Sequence, residues 1–339
     1  MSELWLGTLA KLYAGAAGIK NYLYDHNYFT QVKMKQPVIS VGNLTVGGTG
    51  KTPFTHFLIQ RLKNQQFSVA VISRAYKGQV QSPEKVDRAH AYGARYYGDE
   101  PFLLAQKNPQ VDFFVGQSKS EIAEYISSLP QSYDFIIVDD GFQHRKLHRN
   151  LDIVLLDATE DFGSYRPLPL GRAREPWTEI SRAQFIVITK ANLVEPQKLD
   201  HLMAQLPQGK PVMVADYEVS DILNENFLTH QRADLQKEEV WLLSAIARPR
   251  VFEKMMAQKY AIKGHSVFRD HHQYSMQELQ EVFDKAHQHG VKVLMTEKDA
   301  VKVGNFKELK FEFLIAPLDF KARSGVEELD AIIRNLAHD

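Results

Sequence analysis

The sequence predicts an α/β fold built on a mostly parallel sheet. Three observations carry that reading. Short apolar runs of strand type alternate with helical patterns through most of the 339 residues. One run, at 37–41, passes into a glycine-rich segment ending Gly50-Lys51-Thr52, and a helical pattern follows at once. Another run, at 135–138, ends on Asp139 and Asp140, at the strand end where open α/β sheets bind ligands.

Taken in order, the strand-type runs fall at 38–41, 69–72, 112–115, 135–138, 153–156, 185–188, 212–215, 240–243, 291–295 and 313–315. Helical patterns fall at 55–62, 119–128, 196–205, 250–258, 275–287 and 326–336. Strands separated by helices imply parallel βαβ units. The polar, weakly patterned stretch 220–239 is the expected domain junction. Boundaries follow: an N-terminal helix over 1–30, a first α/β domain over 31–217 and a smaller one over 218–339, with the last strand and helix free to return to the first.

Composition narrows the function classes. Hydrophobic content of 44% with 24% charged residues is that of a globular chain. A net formal charge of zero gives no global argument for a nucleic-acid partner. The absence of cysteine excludes disulfides, thiol nucleophiles and thiolate metal sites. The 13 histidines show no HExxH-type metal spacing.

The glycine segment has the strand–loop–helix order of a P-loop, so the first domain is expected to be P-loop NTPase-like. Gly47, Gly48 and Gly50 let backbone N–H groups turn onto an anion, and the following helix adds its positive end. Thr45, Thr49 and Asn43 share the loop and its entry. Lys51 suits the β- and γ-phosphates of ATP, and the Thr52 hydroxyl suits Mg²⁺. The pattern G-x-x-x-x-G-K-[ST] is met imperfectly, because Thr45 stands where the first glycine belongs. Threonine adopts positive φ only at a cost, which predicts a differently built loop entry. Asp139, with Asp140 beside it, takes the position of the carboxylate that helps to hold Mg²⁺.

Other segments admit two readings each. In Gly98-Asp99-Glu100-Pro101, Asp99 is a helix cap or a general base. In Arg172-Ala-Arg174-Glu175-Pro, the arginines are a phosphate clamp or a solvated loop. In Asp270-His271-His272-Gln-Tyr274, one histidine orients a carboxylate, or the pair lies on the surface. Thr296-Glu-Lys-Asp299 follows a strand and is either a site edge or a capped helix start. Near the N-terminus, Trp5, Leu9, Leu12, Ala16, Ile19 and Leu23 form a stripe at helical spacing, with Lys11 on the opposite face. Lys11 interrupts the ~20 apolar residues that a spanning helix needs. That leaves a helix lying on a membrane surface or one packed on the protein itself.

Eight strings, in order from Val41 to Lys302, resemble the tetraacyldisaccharide 4'-kinases of lipid A biosynthesis: VGNLTVGGTGKTP, SRAY, GDEP, VDDGFQHR, REP, IARP, DHHQY and TEKDAVK. Two departures stand out. Ala75 replaces a common glycine in SRAY, and GRAREP (Arg172 included) replaces the commoner GPLREP. The resemblance implies transfer of the ATP γ-phosphoryl to the 4'-hydroxyl of a tetra-acylated glucosamine disaccharide 1-phosphate. It also implies two α/β domains joined by a short β-ribbon, with the nucleotide between them. It makes Asp99 a base paired with His271, a pairing expected to tune the carboxylate toward accepting a proton near neutral pH. Lys51 and Asp139 complete the expected catalytic set. Arg74, Tyr76, Glu100, Asp140, His144, Arg174 and Glu175 are the expected further contacts. An acceptor with four acyl chains implies a membrane-surface partner and the cytoplasmic face of the inner membrane of a Gram-negative-type bacterium. From the P-loop alone, a regulatory NTPase switch is the alternative. Thr189-Lys190-Ala191-Asn192-Leu193 looks like its base-reading motif but lacks the aspartate.

Overall fold

The structure, a computed structural model, describes residues 3–225, 238–304 and 312–338. Part of the expected junction, 226–237, lies outside the described residues.

The first sheet contains β1 (Val38–Asn43), β2 (Val69–Arg74), β3 (Glu84–Lys85), β4 (Asp112–Gly116), β5 (Phe135–Asp139), β6 (Leu151–Asp157), β7 (Phe185–Thr189), β8 (Val212–Val219) and the late strand β14 (Leu318–Ser324). Their order is β14-β8-β7-β6-β1-β5-β2-β4-β3. Pairing is parallel from β8 through β4 and antiparallel at both edges. Strands β5 and β6 are buried at every position, as expected of parallel strands covered on both faces. One face packs on α2 (Lys51–Asn64) through Phe54, Leu58, Ile59 and Leu62, and on α10 (Val326–His338) through Leu329 and Ile333. The other face packs on α5 (Lys119–Ser128) through Ile122, Ala123 and Ile126. Each phenylalanine, leucine and isoleucine among these contributes about 1.5–3 kcal/mol on burial.

The second sheet has the order β11-β10-β12-β13-β9. It comprises β9 (Leu223–Asn224), β10 (Glu239–Ser244), β11 (Ala261–Val267), β12 (Lys292–Thr296) and β13 (Phe313–Ala316). Helix α7 (Pro249–Ala257) covers one face, and α8 (Met276–Gln288) and α9 (Glu297–Val303) the other. The chain leaves the first sheet through β8 and re-enters it through β14. These strands pair antiparallel from Leu318↔Val219 onward and form the short ribbon between the two α/β units. Phe320 on β14 packs edge-to-face on Phe54 and at a tilt on Phe57, which seats the returning strand on α2.

The first helix, α1 (Glu3–Asp25), does not pack as a core helix. Its polar side is tied to the body: Asn21 donates to Glu175 and Glu179, Tyr13 to the Arg174 carbonyl, and Lys20 to the Gln143 carbonyl. The predicted apolar stripe faces outward, with Trp5 67%, Leu12 66% and Ile19 65% exposed. Among the described residues, no helix is long and apolar enough to cross a membrane.

Candidate active site between the two sheets

β1 lies between β5 and β6 at the centre of the first sheet, so the loop that follows it opens beside the ends of both neighbours. Val41 is in register with Asp139, which sets the glycine loop beside the carboxylate strand. The loop's left-handed positions are Gly47 (φ 110) and Gly50 (φ 88). A side chain at Gly50 would strike the Tyr217 hydroxyl at 2.1 Å. Thr45 is not among the positive-φ residues. It is buried and forms an isolated bridge with Ala173, so the entry is braced by the Arg172–Arg174 segment rather than by a glycine.

The loop borders a cleft of about 580 Å³ lined by both units. Gly47, Gly48, Thr49, Gly50, Lys51, Thr52, Arg74, Tyr76, Asp99, Glu100, Asp139, Asp140, His144, Arg174 and His271 all line it. Asn43, Thr45 and Glu175 stand behind this lining. Asn43 accepts from Lys51 at 3.0 Å and from Arg174, and Glu175 accepts from Asn21 and Arg182. Ala75, the departure in SRAY, takes no positive φ and is buried.

The two carboxylates of β5 differ in character. Burial and the nearby Glu100 push Asp139 up to about 6, against the pull of Lys51. The Ser73 hydroxyl donates to it at 3.1 Å. Asp140, at φ 50, has its burial outweighed by Lys51 (3.3 Å) and Arg174 (2.8 Å), which hold it well below the usual carboxylate range. Burial also lowers Lys119 to about 8 and His144 to about 3. His144 is therefore neutral at physiological pH.

Opposite the loop, Asp99 and His271 meet across the cleft. Gly98 (φ 95) is the N-cap of α4 (Asp99–Lys107), so Asp99 is the first helical residue and not the cap. His271 Nδ1 lies 3.0 and 2.9 Å from the two Asp99 oxygens. Burial works to raise the Asp99 carboxyl, but Lys298 and the His271 hydrogen bond outweigh it and hold the group below its ordinary value. The expectation of a carboxylate tuned toward neutral pH is thereby corrected, because a second, unforeseen cation faces it. Lys298 pairs with Glu100 at 2.7 Å, and burial is outweighed by Glu100 and Asp99, which raise its ammonium. An ionised Asp99 can only accept, so Nδ1 of His271 carries a proton and donates to it.

The Thr296–Asp299 segment fits both of its readings. The Thr296 hydroxyl caps α9 by accepting from the Asp299 N–H. Asp299 is fully buried and accepts from the Ala245 N–H, the Tyr274 hydroxyl and Lys302. This knot ties the His271 loop to the helix start that carries Lys298. His272 turns away and pairs with Glu278 at 3.0 Å.

A family model for tetraacyldisaccharide-1-P 4'-kinases matches residues 2–338. The chain belongs to that family. It is 46% identical over 304 residues to the tetraacyldisaccharide 4'-kinase of Bdellovibrio bacteriovorus, covering 88% of this chain and 89% of the other. It is 31% identical over 346 residues to the Chlorobium phaeovibrioides enzyme of the same name, covering 98% of each. The crystal structure of the "apo" form of LpxK from Aquifex aeolicus in complex with ATP aligns with a TM-score of 0.78 at 30% identity, over 99% of each chain.

In this kinase-family chain, sequence reasoning passed over several cleft residues. Lys298 was masked by the capping pattern. Lys119 starts a helix after β4, at a strand end, which was its available signal. Lys190 lies under the loop, donating to the Gly48 carbonyl (3.0 Å) and Asp157 (2.5 Å). The apolar end of the cleft, formed by Val219, Ile246, Val251, Phe252, Met255 and Leu318, spans both units, and only Ile246 falls within a motif string, IARP.

Proposed function

We propose that the chain transfers the γ-phosphoryl of ATP to the 4'-hydroxyl of a tetra-acylated glucosamine disaccharide 1-phosphate. The observation that carries the reading is the Asp99–His271 pair facing a P-loop across one cleft, in a chain of the 4'-kinase family.

Phosphoryl transfer asks the protein for positioning and charge stabilisation. The inward-facing N–H groups of 47–52 and the N-terminus of α2 receive the phosphates. Lys51 and Arg174 stabilise charge on the transferring group, and Arg74, Tyr76 and His144 contact the sugar or phosphate. The apolar end of the cleft receives the adenine. In the chemical step the 4'-oxygen bonds to the γ-phosphorus, and the bond to the β–γ bridging oxygen breaks toward ADP. The hydroxyl proton passes to Asp99, which His271 holds aligned from Nδ1. A loose transition state calls for little proton removal before bond making, so a carboxylate below its ordinary pKa suffices.

The residues also fit Mg²⁺. Among the described residues no group of three or more metal-type side chains exists. Mg²⁺ commonly takes one or two protein ligands and completes its shell from phosphates and water. Asp139, raised by burial beside Glu100, is a buried carboxylate short of positive charge. Thr52 and Asp139 are the proposed ligands. Asp140, already engaged by Arg174 and Lys51, supports them from behind. When bound, Mg²⁺ neutralises charge on the nucleotide phosphates.

The outward stripe of α1 supports docking on the cytoplasmic face of the inner membrane, where an acceptor with four acyl chains resides. The domain division at 217/218, with β14 and α10 returning to the first unit, supports closure over the nucleotide. The hydrolytic-switch alternative loses its base reader, since Lys190 is folded beneath the loop on Asp157.

The test is ADP release with and without detergent-dispersed acceptor. We expect release to depend on the acceptor. Equal turnover without it contradicts the kinase reading and favours the switch.

A further inference from the structure

The glycine loop is held by its carbonyls. Arg172 donates to the Val46 carbonyl at 2.6 Å, Lys190 to that of Gly48 at 3.0 Å, and Thr189 to that of Thr49 at 2.9 Å. The Tyr217 hydroxyl donates to that of Gly50. A peptide whose carbonyl is drawn outward presents the N–H of the next residue inward, and this is how such a loop cradles an anion. Gly47 has a second reason to be glycine, because a Cβ there would lie 2.1 Å from an Arg172 guanidinium nitrogen.

Two of these straps lead to the second unit. Arg172 pairs with Glu160 at 2.9 Å, and Lys190 pairs with Asp157. Arg248, which precedes α7 in the second unit, reaches both acids. It pairs with Glu160, lies 3.4 Å from Asp157 and donates to the Thr159 hydroxyl at 2.6 Å. Asp157 and Glu160 are buried, so an arginine arriving there meets a preformed acidic seat. Neither acid lines the cleft, nor does Arg172, whereas Arg248 lines it and reaches the acids from there.

We propose that Arg248, Glu160 and Arg172 form a relay that couples docking of the second unit to the shape of the glycine loop, and so to nucleotide affinity. All three are positioning residues. The proposal rests on the ATP-binding reading of the cleft. Seating of Arg248 orders Glu160, Glu160 fixes the Arg172 fork, and Arg172 fixes the loop entry at Val46–Gly47. By reciprocity, nucleotide in the loop favours the docked position of the second unit.

The experiment titrates Mg-ATP onto the full chain by calorimetry and measures the KM for ATP and for the acceptor separately. The variants are Arg172→Leu, Arg248→Ala, Glu160→Gln and the double variant Arg172→Leu/Arg248→Ala. Each single change should weaken Mg-ATP binding roughly 10-fold, the scale of one charge-assisted hydrogen bond. The KM for ATP should rise with it while the KM for the acceptor stays put. The double variant should weaken binding no more than about 10-fold as well, because members of one relay are not additive. Multiplying losses in the double variant overturn the relay, since Arg248 then acts on the nucleotide independently. An unchanged affinity in Arg172→Leu also overturns it. If Glu160→Gln does not fold, the two arginine variants and their combination decide the question. Wild-type chain that binds Mg-ATP but phosphorylates no acceptor would instead count against the proposed function and leave the relay standing.

Discussion

Asp139 calls most clearly for a cation among the cleft carboxylates. Its pKa is raised to about 6, so the folded chain binds a proton that the unfolded chain has already released. Between the ordinary value of 3.8 and about 6, stability therefore falls as pH rises, and the cost is fully present at pH 7. Asp139→Asn should stabilise the nucleotide-free chain at pH 7.5 by roughly 3 kcal/mol, a gain that fades by pH 4, while transfer is lost. Thermal melts at both pH values check this, and a destabilised variant at pH 7.5 contradicts it. Lys298 permits a second prediction. Removing its charge in Lys298→Met lets the Asp99 carboxyl rise, so the acid limb of the kcat/KM profile should move to higher pH. A limb that stays in place removes Lys298 from the control of Asp99. At this scale the P-loop lysine and the Asp139 strand end were legible, because adjacent residues carry them. The Asp99–His271 pair was legible only through family resemblance. Its members are 172 positions apart and meet through packing of two separate units. Lys298 was hidden because a capped helix start explains its segment equally well.

Elements with one kind of neighbour were the easiest to read. The ten apolar runs all became strands because both faces of a parallel sheet are covered. β11 (AIKGHSV) and β14 (LDFKARS) escaped notice. Both are sheet-edge strands whose outward residues stay polar, and Lys263, Gly264 and His265 break any apolar run. Helix α1 shows the opposite case, in which periodicity was clear but its meaning was not. A stripe of Trp5, Leu9, Leu12, Ala16 and Ile19 fits a core equally well until the body-facing side proves to be the one with Tyr13, Asn21 and Tyr24. Replacing Trp5, Leu12 and Ile19 with serine touches none of the hydrogen bonds that fix α1. The triple variant should lose most of its binding to anionic lipid vesicles while keeping its melting temperature. Undiminished vesicle sedimentation would end the role of this face in docking.

On the scale of the whole molecule, the cleft exists because two sheets share one ribbon. β8 and β14 set the distance between the units. Beside the apolar packing of Val301 on the first unit's core, ionic contacts span the gap: Lys107 with Glu297 (2.7 Å), Glu100 with Lys298 (2.7 Å) and Asp99 with His271 (2.9 Å). Such contacts open and close at modest cost, whereas the ribbon and the returning helix α10 do not. The glycine loop, Asp139 and Asp99 thus sit on the first unit, and the second unit brings His271, Lys298 and Arg248. In the proposed reaction this closed arrangement phosphorylates a lipid-borne sugar hydroxyl. The most direct measurement follows labelled γ-phosphate from Mg-ATP to the detergent-dispersed tetraacyldisaccharide 1-phosphate and locates it on the product. We expect label on the 4'-oxygen with wild-type chain, and rates lower by about 10²–10⁴-fold for Asp99→Ala. Label that never reaches the lipid, or an Asp99→Ala variant that transfers at the wild-type rate, would contradict it.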